Sequence, residues 1–147
     1  MYQRILVPTD GSKLSAKAAR AAMALAELSG AQIMVLRVVP RYPVSYFEGG
    51  VSLPLTDIQR IEHEWATQAE TALKTLQSQA ETRGLKAKAL VMRSDLVAES
   101  IIAAAKKHKC DLIVMASHGR KGIKRLLLGS ETTNVLTHSQ VPVMVLR

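Results

Sequence analysis

The stretch "RILVPTDGSKLSAKAARAAMALAELSGAQIMVLRVVP", residues 4–40, changes its hydrophobic period twice. Ile5, Leu6 and Val7 form a short unbroken apolar run, read as a strand buried on both faces, and the run closes at the turn-forming pair Asp10-Gly11. Ser12 is placed to cap a helix that carries Leu14, Ala18, Ala21, Ala22, Leu25 and Ala26 on one face and stops at Gly30. "AQIMVLRVV", residues 31–39, is read as a second buried strand, ended by Pro40. Two such strands joined by an amphipathic helix predict a parallel pair with a helical crossover.

Outward from this unit the same alternation continues. Residues 40–54 mix Pro, Gly and Tyr without a period, and are expected to be a long excursion and the most mobile backbone. Ile58, Ile61, Trp65, Ala69, Ala72, Leu73, Leu76 and Ala80 mark a long amphipathic helix over about residues 55–83, closed by Gly84. "KAKALVM" (86–92) is a third strand. Val97, Ile101, Ala104 and Ala105 mark a helix ending near Lys109, and "DLIVMAS" (111–117) is a fourth strand. A basic loop follows, then a short helix from Ser130 to about Thr137, and "VPVMVLR" (141–147) ends the chain as a fifth strand. The expected fold is α/β: a doubly wound five-stranded parallel sheet with helices on both faces and right-handed crossovers, forming one domain over residues 1–147.

Composition limits the function classes. Hydrophobic residues make up 48% and aromatics only 3%, so the core rests on aliphatic side chains and few rings exist to stack bases. The formal net charge is +8. Such a balance attracts nucleic acid, acidic membranes or phosphorylated small molecules without choosing among them, and solvated helix faces account for many such charges. Cys110 is the only cysteine, which forbids an internal disulfide and fits a reducing compartment. The apolar part of "MYQRILVPTDGS" is too short for a signal peptide, and Arg20 and Glu27 break the longest Ala-rich stretch, so no membrane span is expected. A cytoplasmic location follows.

In an open α/β sheet, ligands lie beyond the carboxyl ends of the strands where the winding reverses. "PTDGS", "VVP" and the basic loop "MASHGRKGIKRLLLGSET" (115–132) all fall there. Asp10 can accept from a ribose hydroxyl or an exocyclic amine, and Val38 and Val39 offer an apolar edge to a base. Backbone amides around Gly119, Gly129 and Ser130 can receive phosphates at a helix start. Taken singly, Asp10-Gly11 is also ordinary turn chemistry, Ser130 an ordinary N-cap, and the two valines ordinary core.

No catalytic constellation accompanies these residues. "HEWAT" (63–67) lacks the second histidine of a zinc-protease helix, no GxxxxGK[ST] phosphate loop exists, and no G-x-S-x-G elbow surrounds Ser117 or Ser130. No Cys/His cluster suggests a metal. His118 can reach a phosphate or act as an acid, or serve only as polar surface.

"RILVPTDGS", "DLIVMASHGRKGIKRLLLGSETTNVLTHSQVPVMVL" and the order of elements between them resemble the universal stress protein family over essentially the whole chain. The resemblance implies an adenine-nucleotide α-hydrolase-like, Rossmann-like fold, a homodimer and a cytoplasmic stress-response role. It also implies ATP or another adenine nucleotide as ligand, with Mg2+ where phosphates require it, and at most weak ATP hydrolysis. The ATP-binding branch carries G-x2-G-x9-G-[ST]. Gly119 and Gly129-Ser130 match its later part, while Ala116 stands at its first glycine. On this reading the site comprises Pro8, Thr9, Asp10, Val38 and Val39, the loop residues Ala116, Ser117, His118, Gly119, Arg120 and Gly122, and the helix start Gly129, Ser130, Glu131 and Thr132. "RSDLVAES" (93–100) replaces the glycine-led Gly-Asp-Pro turn that members often carry after strand three. The alternative is a stress protein without nucleotide, acting through a protein partner. The homodimer is expected through the C-terminal strand, with Val143 and Val145 on or behind the seam. Neither nucleic acid nor membrane is expected as a partner.

Overall fold

The computed structural model describes residues 1–43, 53–119 and 127–147. Five strands and four helices alternate: β1 (Arg4–Pro8), α1 (Lys13–Ser29), β2 (Gln32–Val39), α2 (Leu55–Thr82), β3 (Ala87–Arg93), α3 (Val97–Lys107), β4 (Leu112–Ala116), α4 (Ser130–His138) and β5 (Val143–Leu146). The sheet is wholly parallel, in the order β3-β2-β1-β4-β5. The expected doubly wound α/β architecture is therefore the one observed.

The alternation of side chains across each strand builds two cores. Ile5, Val7, Ile33, Val35, Leu112 and Val114 face α1 and α2, with Ala18, Ala22, Met23 and Leu73 packed on them. Leu6, Met34, Leu36, Ile113 and Met115 face the other side, under Ile101, Ala104 and Ala105 of α3 and Val135 of α4. Alanine dominates the inner face of α1, so that helix lies close to the sheet, and the bulk comes from the strands' aliphatic residues.

Local chemistry sets the helix ends. Ser12 Oγ accepts the Ser15 amide at 3.1 Å, and Gly30 ends α1 at φ 74°, its N–H on the Ala26 carbonyl. Ser130 is not the N-cap of the last helix: Gly129 holds that position and Ser130 is the first helical residue. A hydroxyl is therefore not what starts α4. The excursion after β2 is anchored at its start, where the Arg41 amide donates to Asp95 Oδ1 (3.0 Å) and the Tyr42 amide to Glu62 Oε1 (3.0 Å). Tyr42 also stacks on Trp65, ring centroids 6.1 Å apart. The mobility expected of residues 40–54 falls mostly on residues 44–52, outside the described residues.

Candidate functional site

The winding runs from β1 to β2 on one side and from β4 to β5 on the other, so the β1–β4 seam is the topological switch point. The β1–β4 register comprises Ile5↔Leu112 and Leu6↔Ile113, whereas β1–β2 continues to Pro8↔Leu36 and β4–β5 to Ala116↔Leu146. Beyond Leu6 and Ile113 the β1–β4 pairing stops, at the place where open α/β sheets carry their ligand crevice. Pro8 fits a central strand for the same reason: the Thr9 amide turns toward β2, on the Leu36 carbonyl at 2.8 Å, so the N–H that proline lacks faces the side where the ladder has stopped.

The turn after β1 is built by its own side chains. Asp10 Oδ1 accepts the Ser12 amide at 2.9 Å, Thr9 Oγ1 accepts the Gly11 amide at 3.2 Å, and the Thr9 and Ser15 hydroxyls lie 2.9 Å apart. Gly11 has φ 80°, in the left-handed region glycine favours. These bonds hold the Asp10 carboxylate at the crevice mouth, facing the loop after β4. A Cβ placed on Gly119 would lie 2.5 Å from Asp10 Oδ2. The two loops are in contact, and a side chain at 119 would displace the Asp10 carboxylate from its present position.

The far wall is the start of α4. The Gly129 amide donates to the Ser117 carbonyl at 2.8 Å, and a Cβ on Gly129 would come within 3.3 Å of His118 Cα. Thr132, 3% exposed, donates its hydroxyl to the Ala116 carbonyl at 2.9 Å. These two bonds lock the α4 N-terminus onto the end of β4. Gly129, the N-cap of α4, brings no side chain to cap the helix, and the positive end of the helix lies at this side of the sheet. An acceptor carboxylate thus opposes a set of backbone donors. Such a site suits a ligand with a hydrogen-donating part at one end and an anionic part at the other.

The expected residues take different places. Pro8, Thr9, Asp10, Ser117, His118, Gly119, Gly129 and Ser130 gather around the crevice. Ser117 is buried, with its hydroxyl 3.2 Å from His118 Nδ1. Ala116 is the last residue of β4 and lacks the positive φ that would demand glycine. Val38 is half-buried, while Val39 is 3% exposed and belongs to the core. Glu131 points elsewhere: its Oε2 accepts the Ala98 amide at 2.9 Å, in the first turn of α3. Arg120 and Gly122, with the rest of the basic loop to residue 126, lie outside the described residues. Ser12 and Ser15 complete the β1 turn and were not singled out as site residues, although their spacing of three is an N-cap signal. Among the described residues no group of three or more His, Cys, Asp or Glu side chains is placed to hold a metal.

Comparison with known proteins places this geometry. The model of the "Universal stress protein family" matches residues 1–147. A universal stress protein of Methanocaldococcus jannaschii is 32% identical over 148 residues, covering 100% of this chain and 83% of its own. The universal stress protein YxiE of Bacillus subtilis is 32% identical over 149 residues, covering 100% of both. Among solved structures, UspA from Lactobacillus plantarum superposes with a TM-score of 0.83 at 27% identity, covering 99% of this chain and 98% of that one. Two further neighbours in fold were solved with nucleotides. A universal stress protein in complex with cAMP has a TM-score of 0.72 at 23% identity, covering 99% and 97%. One from Archaeoglobus fulgidus in complex with dAMP has a TM-score of 0.67 at 22% identity, covering 99% and 98%.

Proposed function

Since this chain belongs to the universal stress protein family, we propose that it binds an adenine nucleotide, ATP by preference, in the β1–β4 crevice and acts as a stress-response homodimer. The observation that carries this reading is the contact of Gly119 with the Asp10 carboxylate, which brings an acceptor for the nucleoside to the loop that leads into the glycine-capped start of α4. In the proposed pose Asp10 accepts from the adenosine moiety and Val38 lies along the base. The amides at Gly129, Ser130 and the following turn receive the phosphates. Mg2+ enters on the phosphates, and the described residues supply no cage for it. Arg120 and the neighbouring lysines of the loop lower the cost of gathering negative charge. The cAMP and dAMP complexes of fold neighbours carry the same adenine group and support that choice of base.

The dimer is assigned to β5. It is an edge strand, Met144 on it is 41% exposed, and its four residues include no charge. The opposite edge, β3, carries Lys88 and Arg93, the kind of charge that blunts an open edge. Calorimetry with ATP and with adenosine tests the nucleotide reading. Binding of both, with Asp10→Ala weakening both, supports it. Absence of heat at millimolar ATP in wild type sinks it.

Two observations favour the second reading, a stress protein working without nucleotide through a protein partner. Ala116 and Glu131 depart from a site dedicated to phosphate, the first by its methyl and the second by its commitment to α3. A gain of ATP binding in Ala116→Gly, with none in wild type, would transfer the conclusion to this reading.

A further inference from the structure

The candidate nucleotide crevice lies at one end of the strands; five lysines collect at the other. Lys86 precedes β3 and Lys88 is its second residue, Lys106 and Lys107 close α3, and Lys109 precedes β4. All five are exposed. Hydrogen bonds link the segments that carry them. The Lys86 carbonyl accepts the Ile33 amide at 2.9 Å, the Gln3 carbonyl accepts the Gln32 amide at 2.9 Å, and the Arg4 guanidinium reaches the His108 carbonyl. Three strand spacings of about 4.8 Å separate β3 from β4. Along the sheet these segments therefore lie within two Debye lengths of one another at physiological salt, close enough for their charges to reinforce one another.

The carboxylates at this end are already engaged. Asp111 accepts the Gln3 and Arg4 amides at 2.9 and 3.0 Å, Glu27 pairs with Arg83 at 3.5 Å, and Glu81 accepts from Gln77 at 3.1 Å. The ion pairs among the described residues include none of the five lysines. Complementing the α3 dipole accounts for Lys106 and Lys107, and guarding the sheet edge accounts for Lys88. Neither explains the apolar side chains left open at the same end. Leu28, in the last turn of α1, is 83% exposed, and Met1 is 93% exposed; among the described residues they are the most exposed of the large hydrophobics.

We propose that this end of the molecule docks on an anionic lipid surface, with the lysine ammonium groups over the headgroups and Leu28 inserted among them. A cluster of four to eight basic residues beside apolar side chains is the pattern such surfaces attract. A nucleic acid would use the lysines but has no use for Leu28, and the arginines here are committed, Arg4 to His108 and Arg83 to Glu27. The contact is peripheral, because no described helix is long and apolar enough to cross a membrane. The nucleotide crevice then faces away from the lipid, about 16 Å distant along a five-residue strand. This inference does not depend on the crevice holding a nucleotide.

Co-sedimentation with phosphatidylcholine vesicles, with and without phosphatidylserine, tests it. Binding is expected only with phosphatidylserine and falls as salt rises. Lys106→Gln/Lys107→Gln should weaken binding about 25-fold, from roughly five-fold per lysine near an anionic surface. Arg20→Gln/Lys74→Gln removes the same charge elsewhere and should change binding less than about twofold, since distant exposed charges are screened. Leu28→Ser should weaken it about five-fold or more. Equal loss in the two double variants would reduce the effect to net charge and overturn the proposal. So would equal binding to pure phosphatidylcholine, or no binding at all. A short DNA duplex held more tightly than the vesicles, with the same lysine dependence, would reassign the surface to nucleic acid.

Discussion

Gly119 and Gly129 owe their place to proximity, since neither adopts a left-handed φ. Gly119→Ala would drive its Cβ to 2.5 Å from Asp10 Oδ2, so the carboxylate must swing off its Ser12 amide or one of the two loops must retreat. The expected cost is about 1–3 kcal/mol, typical of overpacking. Nucleotide affinity should fall at least tenfold by calorimetry. Removing the obstacle in Asp10→Ala/Gly119→Ala should return much of the lost stability, and a double-mutant cycle with no coupling would contradict the contact. Gly129→Val should be worse for binding, because its neighbours at 3.3 and 3.4 Å are backbone atoms that cannot swing aside. Cys110 offers a separate check. It is buried, with Sγ 3.8 Å from Met34 Sδ, and burial pushes its thiol up to about 11, partly offset by Arg4. It should react with thiol reagents only on unfolding. An unfolded chain loses that proton at lower pH than the folded one, so the stabilising difference is complete below about pH 9 and lost as pH rises toward 11. Chemical denaturation of wild type should show this loss, on the order of 2 kcal/mol, and Cys110→Ala should lack that part of it.

Elements show how far the linear chain could be read. Unbroken apolar runs identified β1 and β4, a mostly apolar run ended by Pro40 identified β2, and an i, i+3, i+4 stripe identified α2, because burial on two faces or one leaves a pattern in the sequence. Glycine at 30 and 84 marked where helices stop. What stayed illegible depends on residues far apart in the chain. Glu131 reads as part of a phosphate loop, yet it crosses to α3 and accepts the Ala98 amide. Leu96, the N-cap of α3, has no side chain able to do this, and the need for an outside carboxylate is visible only once α3 and α4 are packed together. Asp95 and Glu62 hold the start of the excursion in the same way, across 54 and 20 residues. The Asp10–Gly119 contact likewise has no local signature. Glu131→Ala should therefore lower stability by about 1 kcal/mol, the usual worth of a helix cap. Thermal unfolding should show it as a drop of about 3 °C for a chain of this size. Nucleotide affinity should change little; a large loss would return Glu131 to the ligand.

At the scale of the whole molecule, the sheet's two edges differ. Val143 packs against the core under α3 and α4, so a charge there would damage the fold and say little about assembly. Met144 is the informative position, being exposed on the uncharged edge. On the proposed β5 interface, wild type should sediment as a dimer and Met144→Lys as a folded monomer. An unchanged dimer would move the interface off β5. Since the crevice of each protomer is built from its own β1 and β4 ends, the monomer should still bind nucleotide.

The central position of β1 also bears on how the chain assembles during synthesis. Its partner β2 follows within one helix, but its other partner is far downstream: the Gln3 and Arg4 amides bond a side chain 108 and 107 residues later. At ribosomal rates of about 5–20 residues per second, that interval lasts on the order of 5–20 s. Throughout it, a nascent β1-α1-β2 unit presents Ile5, Leu6 and Val7 along an unclosed edge. Newly made chains should consequently depend on a holding chaperone until β4 emerges. Fragments ending before Leu112 should aggregate, however well their early helices form.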